Sequence, residues 1–417
     1  RCPNESGGMM AGYMDARYAP KEDDVVCTFR MKNARGVSTG YAVQQLVAES
    51  SIGTWTDIAT MKPEIARKLG PKAFSLRGGV VKVAYPADDF EPGNASQIWS
   101  AVCGNIFGMK ILDSLRVEDI ELPKKLARSF KGPALGVPGI RRMLGVPKRP
   151  LVGTIVKPKV GLNEREHAHV AYEAWANGLD LVKDDENLCS MSFNRFEKRV
   201  VEVLKARERA ERETGEKKLA VLNVSGPKML QRAEFIREHG GNAAMVDIIS
   251  CGWAGLQMLR NAETGLVMHG HRAGHAAFTR NREHGIAMMV VAKTARWCGI
   301  DTLHIGTADI GKMEGGSDEV VAVRGAIQRD EFGLKPVFAV ASGGLHPALL
   351  PGVIERLGGD VVVQFGGGVH GHPRGTAAGA RAVRQALDAT VEGETLDAVA
   401  ARHWELREAL EKWRRNG

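Results

Sequence analysis

The sequence predicts an α/β chain in which a C-terminal (β/α)8 TIM barrel follows a smaller α+β domain. Three observations carry that prediction. Short β-branched runs recur eight times beyond residue 150. Helix-like stretches on a 3.6-residue period fill the gaps between them, the alternation that builds a parallel sheet wrapped in helices. Charged and histidine side chains gather where the runs end, the rim on which barrel enzymes carry their active sites.

Taken in order, residues 1–11 read as a leader or disordered extension: the chain starts with Arg and lacks the apolar stretch of a signal peptide. Over 12–135, VVCTFRMKN and VVKVAYPAD read as strands, and GYAVQQLVAES and ASQIWSAVCGNIFG as helices. The stretch KGPALGVPGIRRMLGVPKRP is dense in Gly and Pro, which marks 136–150 as a junction. The barrel is expected over 151–400. Its strands are LVGTIVKPK, LDLVKDDE, LAVLNVSG, AAMVDIIS, LVMHGHR, TLHIGT, VFAVASGG and VVVQFGGG, with helices such as EREHAHVAYEAWANG and HGIAMMVVAKTARWCG between them. A charged helix closes the chain over 401–417. Eight strand–helix units in about 250 residues fit a closed barrel better than a doubly wound open sheet, the alternative, which has fewer strands.

Composition removes several classes. The 417 residues are 44% hydrophobic and 25% charged, an ordinary balance for a folded chain that needs no disulfide or metal staple. No apolar run approaches the ~20 residues of a membrane span. The 57 basic and 49 acidic residues leave a net charge of +8, yet the basic residues form no block. A small anionic substrate fits such distributed charge better than nucleic acid. Neither a membrane nor a nucleic-acid partner is expected. The six cysteines are scattered without a C-x-x-C pair, which suits free thiols in a reducing cytoplasm.

Four stretches carry chemistry. In GTIVKPKVG, strand alternation puts Ile155, Lys157 and Lys159 on one face, where two cations need something anionic. In LVKDDEN, Lys183 and Asp185 share a face and Asp184 points away; the strand is expected to break and swing Glu186 inward. Two carboxylates suit Mg²⁺, which keeps waters and accepts substrate oxygens. The lysine becomes a ligand only if carbon dioxide converts it to a carbamate; a plain Lys–Asp ion pair is the alternative. MHGHRAGH supplies His269, His271, Arg272 and His275, read as offering a proton-shuttling histidine beside a phosphate-binding arginine, with His304 fitting the same role. GTADIGKM nearly matches a nucleotide P-loop, but Met313 replaces the metal-binding hydroxyl, so it reads as a mobile loop carrying Lys312. SGG (342–344) and FGGG (365–368) sit where barrels bind phosphate on bare backbone N–H groups.

GTIVKPKVGL, GLDLVKDDEN, HRAGHAAFTR, HIGTADIGKMEG, VASGGLHP and QFGGGVHGHP together resemble the large subunits of ribulose-1,5-bisphosphate carboxylase/oxygenase (RuBisCO). AESSIGTWT and GNIFG extend the resemblance to the N-terminal region, and AAFTRN with VASGGLHP looks most like the archaeal type, form III. The resemblance implies a ferredoxin-like N-terminal domain and carboxylation, with competing oxygenation, of ribulose 1,5-bisphosphate through a Mg-bound enediolate to two 3-phosphoglycerate. It implies that Lys183, as a carbamate formed with activator CO2, binds Mg²⁺ with Asp185 and Glu186. Lys157 would act as acid/base, supported by Lys159, and Lys312 would stabilise the new carboxylate. Glu49 would position Lys312, and Asn105 would lie near the metal, both from the neighbouring subunit of a homodimer that can assemble further without a small subunit. One phosphate would rest on Thr54, Trp55, Gly344, Gly366 and Gly367, and the other on Arg272 and His304. Ser342, Gly343 and Gln364 would line the substrate, and His271 and His275 would meet its hydroxyls. Ile155, SMSF (190–193) and a three-residue spacing inside the Lys312 loop depart from the plant type. A RuBisCO-like enolase acting on a methylthio-pentyl phosphate is the alternative, but such homologues lose several of these residues, whereas Glu49, Lys157, Lys183 and Lys312 all remain.

Overall fold

Apolar alternation along the first strand already fixes one sheet face: Val25, Cys27, Phe29 and Met31 are buried, and Arg30 between them is exposed. The computed structural model describes residues 12–312 and 316–414, so the expected leader, 1–11, lies outside the described residues. The chain forms two units. One runs to Phe130 and includes Gly274–Trp297 and Glu331–Gly333; the other holds the remainder.

In the first unit, β1 (Asp24–Asn33), β2 (Lys72–Arg77), β3 (Val80–Pro86) and β4 (Leu112–Glu121) form an antiparallel sheet ordered β4-β1-β3-β2. Helices Thr39–Glu49 and Ala95–Val102 follow β1 and β3, giving the ferredoxin-like order. A later strand, β10 (Gly285–Ile286), runs parallel along β4 and occupies the start of the stretch read as one helix, which begins only at Met288. The helix expected over ASQIWSAVCGNIFG also breaks. It ends at Val102, and Asn105–Gly108 forms a separate 3-10 turn. Gly104, with φ −88° and ψ −116°, makes the break; a Cβ there would come within 2.1 Å of the Ser100 carbonyl oxygen.

In the second unit all eight expected runs form strands: β5 (Leu151–Ile155), β6 (Leu181–Lys183), β7 (Leu219–Asn223), β8 (Ala243–Asp247), β9 (Val267–His271), β11 (Thr302–His304), β12 (Phe338–Ser342) and β13 (Val361–Gln364). They pair in parallel and close on themselves, β13 beside β5. The segment read as a junction carries a helix, Gly136–Leu144. Its Val137, Ile140 and Leu144 pack into one apolar cluster with Leu151, Leu181, Leu219, Val267 and Phe338. These five are the first residues of their strands, so the helix plugs the N-terminal end of the barrel. The terminal stretch forms two helices, Leu396–Arg402 and Trp404–Arg414, parted at His403. Among the described residues no helix is long and apolar enough to cross a membrane.

One buried carboxylate ties plug to barrel. Asp301 accepts the backbone N–H groups of Leu135 and Gly136 on one oxygen, each at 2.7 Å, and that of Met268 on the other at 2.9 Å. Gly136 adopts φ +58°, and a Cβ there would lie 2.6 Å from the Pro336 carbonyl oxygen, so only glycine starts the helix here. In Asp301→Asn the new amide keeps its shape but must face a donor with a donor. An unmade bond of this kind costs about 1–3 kcal/mol. Thermal unfolding of the variant is expected about 1–4 °C below wild type, and an unchanged melting temperature would show that the carboxylate is not the tie.

Candidate functional site

The barrel interior changes character from one end to the other. Leu181 belongs to the apolar plug cluster, and two residues further along the same strand Lys183 points the same way. The same step leads from Met245 to Asp247, from Val267 through His269 to His271, and from Val340 to Ser342. Period two thus stacks a polar layer on the apolar one.

Lys183 is 1% exposed. Its Nζ donates to the Asp184 carbonyl oxygen at 2.8 Å, lies 3.3 Å from Met245 Sδ, and sits 3.6 Å from Glu186. Burial lowers its pKa, helped by the charge of Lys157 and opposed by Glu186, Asp185 and Asp184. The strand ends at Lys183, and the turn that follows swings Glu186 back toward it, as the sequence suggested.

Asp184 faces outward. It receives Arg199 Nε at 3.1 Å, His167 Nε2 at 3.0 Å and the Asn223 backbone N–H at 2.9 Å. Burial alone would raise this carboxyl, but Arg199 and His167 overcome it and hold its pKa at about 2. Arg199 also donates to Asn194 and to the Cys189 carbonyl, so the whole turn after Lys183 is pinned from outside.

The lysine pair behaves differently from the expectation. Strand β5 stops at Ile155, so alternation does not orient Lys157 and Lys159. Each instead finds its own carboxylate. Lys157 donates to Asp185 at 2.7 Å, and Lys159 lies 3.7 Å from Glu186. The pKa of Asp185 is lowered: burial opposes this, but Lys157 and Asn187 outweigh it. Glu186 is lowered too, against its burial, chiefly by Lys183 and then His271. Asp185 and Glu186, both ionised beside a buried amine, are hard oxygen donors of the kind Mg²⁺ takes. Among the described residues no group of three His, Cys, Asp or Glu side chains forms a ready metal site. The pair therefore fits Mg²⁺ only when a third anionic oxygen, such as a carbamate on Lys183, joins it.

His271 bridges the site, with Nδ1 2.9 Å from Asp247 and Nε2 3.5 Å from Glu186. Arg272 is 8% exposed, and its burial lowers its pKa to about 10, partly countered by Glu319. His304 lies edge-on to His271, with ring centroids 4.7 Å apart, and its Nε2 is 2.9 Å from that of His269. Ser342 and Gln364 stand in register on adjacent strands, and both polar atoms of the fully buried Gln364 side chain lack a protein partner among the described residues.

The glycine segments meet the loop lysine. Lys312 donates its backbone N–H to the Gly343 carbonyl at 3.1 Å, and its side chain is exposed. Gly344 adopts φ +73°, and a Cβ on it would fall 2.9 Å from the Lys312 backbone nitrogen. Gly367 opens a single helical turn to His370, and a Cβ on Gly366 would lie 3.5 Å from Lys157 Cε. The loop's Met313 and Gly315 lie outside the described residues.

The remaining sequence candidates lie on the first unit. Asn105 donates to Glu49 at 3.2 Å, which the 3-10 turn after Gly104 makes possible. Trp55 is 75% exposed beside Thr54, and His275 pairs with Thr279 at 2.9 Å. Sequence reasoning missed Asp247, the His269–Thr302 contact and His370. The last accepts or donates at Thr154, Ile155 and Thr376, and burial lowers its pKa to about 4. His269 lies in MHGHRAGH and His370 in QFGGGVHGHP, but neither stretch shows the partner; inward alternation on β8 and β9 points to Asp247 and His269.

Comparisons with known proteins agree over nearly the whole chain. The family model for the ribulose bisphosphate carboxylase large chain, catalytic domain, matches residues 136–413, and the N-terminal domain model matches 12–126. A ribulose bisphosphate carboxylase of Methanosarcina acetivorans is 49% identical over 97% of this chain and 99% of its own length. That of Methanocaldococcus jannaschii is 45% identical over 96% of this chain and all of its own. The solved octameric Rubisco of Pyrococcus horikoshii, in complex with sulfate, superposes with a TM-score of 0.92 at 46% identity, covering 96% of each chain. The dimeric archaeal Rubisco of Hyperthermus butylicus superposes at 0.90 with 45% identity, over 96% of this chain and 98% of that one.

The Asp184 anchor has a pH signature. An unfolded aspartate titrates near ~3.9, and the folded one at about 2. Its stabilisation is therefore complete at neutral pH and is lost as pH falls from ~5 toward 2. Asp184→Asn is expected to melt below wild type at pH 7, with the gap closing as pH drops. A gap that stays constant down to the acid limit would show that Asp184 is not held as an anion.

Proposed function

The chain belongs to the ribulose bisphosphate carboxylase large-chain family, and from that premise we propose that it carboxylates ribulose 1,5-bisphosphate, with competing oxygenation, in the manner of its archaeal relatives. The observation that carries the site assignment is the Lys183 amine. It is buried, shifted toward its neutral form, and set beside two ionised carboxylates at the open end of the barrel.

A neutral amine attacks carbon dioxide. An N–C bond forms, one proton leaves to solvent, and the lysine ends in an anionic carbamate. Its oxygen would join Asp185 and Glu186 as the third donor for Mg²⁺. When bound, Mg²⁺ supplies charge neutralisation for the oxygens of the substrate as they become anionic. As a carbamate, Lys183 would be the group placed to accept the proton from C3 of the bisphosphate, the removal that gives the enediolate. Lys157, placed against Asp185, holds a proton at the opposite side of the reacting carbons, with Lys159 adding positive charge. His271, oriented through Nδ1 by Asp247, exchanges a proton with a substrate hydroxyl through Nε2. Carbon–carbon bond formation between the enediolate and CO2, addition of water and cleavage give two 3-phosphoglycerate. Lys312 stabilises the carboxylate formed from CO2.

Arg272 and His304 hold one phosphate; the backbone N–H groups of Gly344, Gly366 and Gly367 hold the other, with Thr54 and Trp55. Ser342, Gly343 and Gln364 line the chain between them, where the unpartnered Gln364 amide needs a polar neighbour. Glu49, Asn105 and His275 complete the set. Glu49 and Asn105 act from the neighbouring subunit, so the working unit is a homodimer. Solved archaeal relatives described as dimeric and octameric support dimer-based assembly. The scattered free thiols support a cytoplasmic setting.

Purified protein incubated with bicarbonate and Mg²⁺, then given labelled CO2 and ribulose 1,5-bisphosphate, should yield acid-stable label in 3-phosphoglycerate. Lys183→Ala should abolish it, and Lys157→Met should lower the rate by at least about a hundredfold, the scale of a lost acid/base group. Absence of acid-stable label from folded wild-type protein would favour the enolase alternative.

A further inference from the structure

Strand alternation places a second histidine beneath His304, and it has no part in the reaction described above. His269 Nε2 lies 2.9 Å from His304 Nε2, and His269 Nδ1 lies 2.7 Å from the Thr302 hydroxyl. His269 is 2% exposed, His304 6% and Thr302 3%. Burial pushes both imidazoles well below their usual range, and their neighbours' positive charges push the same way. Two neutral rings that meet through nitrogens need one N–H and one lone pair between them.

Thr302 decides which ring gives. Among the described residues its hydroxyl has no other hydrogen-bond partner. If His269 carried its proton on Nδ1, the Thr302 hydroxyl proton would be stranded inside the barrel without an acceptor, which is unfavourable for a buried donor. If Thr302 instead donates to His269 Nδ1, every group is satisfied. His269 then donates from Nε2, and His304 must carry its proton on Nδ1. We propose that Thr302 and His269 are positioning residues that lock His304 in its Nδ1–H tautomer, so that it presents a donor to the substrate phosphate.

The consequence is a directional relay: hydroxyl to imidazole to imidazole to anion. A neutral His304 in the other tautomer would turn a lone pair toward the phosphate oxygens and repel them. The phosphate lies away from the reacting carbons, so the relay acts on binding in ground and transition states alike. It therefore moves KM rather than kcat. This reading of the ligand rests on the bisphosphate substrate proposed above, whereas the tautomer is a property of the protein alone.

Two measurements separate the possibilities. In carboxylation assays His269→Leu should raise KM for ribulose 1,5-bisphosphate about tenfold with kcat within about twofold, the pattern of lost uniform binding. His269→Gln, whose amide both accepts from Thr302 and donates to His304, should recover most of that loss. Equal KM values in the Leu and Gln variants would overturn the relay. Solid-state 15N spectra of histidine-labelled wild type should show one buried neutral ring protonated on Nε2 and one on Nδ1, assigned by the signal lost in His269→Gln. Finding His304 protonated on Nε2 would overturn it as well. Should His269→Leu fail to fold, the spectra of Thr302→Val and Thr302→Ser decide: Val is expected to mix the two His304 tautomers, Ser to keep one, and identical spectra refute the lock. A wild type that fixes no CO2 refutes the substrate assignment and leaves the spectral result standing as the test of the tautomer.

Discussion

The structure turns on the burial of one amine. A lysine at the inner rim of a barrel is expensive as a cation, because desolvation is not repaid unless counter-charges stand very close. Around Lys183 they stand at a middle distance. Glu186 is 3.6 Å away, and the nearer partners are a carbonyl oxygen and a thioether sulfur. The amine is thus half-compensated: buried, incompletely paired and lowered in pKa by that burial. Asp185 is kept from pairing with it by Lys157, which claims that carboxylate at 2.7 Å. The apparent redundancy of cations at this rim serves to leave the central one under-paired.

That arrangement needs a turn that does not relax. Three consecutive acidic residues follow Lys183, and left free they would rotate toward the nearest cation. Asp184 prevents this by facing the other way, where Arg199, His167 and a backbone N–H absorb its charge. The sharp change from strand to turn at Lys183 is therefore held by an outward ion pair, and the inward chemistry is its consequence. The apolar end of the barrel contributes rigidity in a similar way, since Asp301 fastens the plug helix to the strands that carry His269 and His304.

Much of this was legible in the residues, and the limits are physical. The eight strands could be read because a strand buried on both faces is a short branched run, whatever its neighbours. Lys183 and its carboxylates could be read because they are contiguous. The helix within residues 136–150 could not, because Gly and Pro there serve its ends: Gly136 and Gly145 take positive φ at its two termini. Alternation puts Lys157 and Lys159 on one strand face, but the strand ends two residues before Lys157; what places them, Asp185 and Glu186, lies on another strand's turn. Asp247 and Thr302 were invisible for the same reason. Each acts on a histidine far away in sequence, and a lone Asp or Thr at a strand end carries no pattern.

The histidines show why such partners matter more than their anonymity suggests. Imidazole is symmetric in composition and asymmetric in use, so a histidine placed correctly can still present the wrong nitrogen. His271 and His304 lie edge-on, 4.7 Å apart between centroids, yet their partners differ in kind. Behind His271 stands the Asp247 carboxylate, 2.9 Å from Nδ1, and Nε2 faces Glu186. Behind His304 stands no charge, only a neutral ring whose own state is set by a hydroxyl. A carboxylate there would have favoured the protonated form of His304. A hydroxyl fixes direction without adding charge, so the positive charge beside His304 is that of Arg272, while Lys157 and Lys159 carry theirs beyond the end of β5.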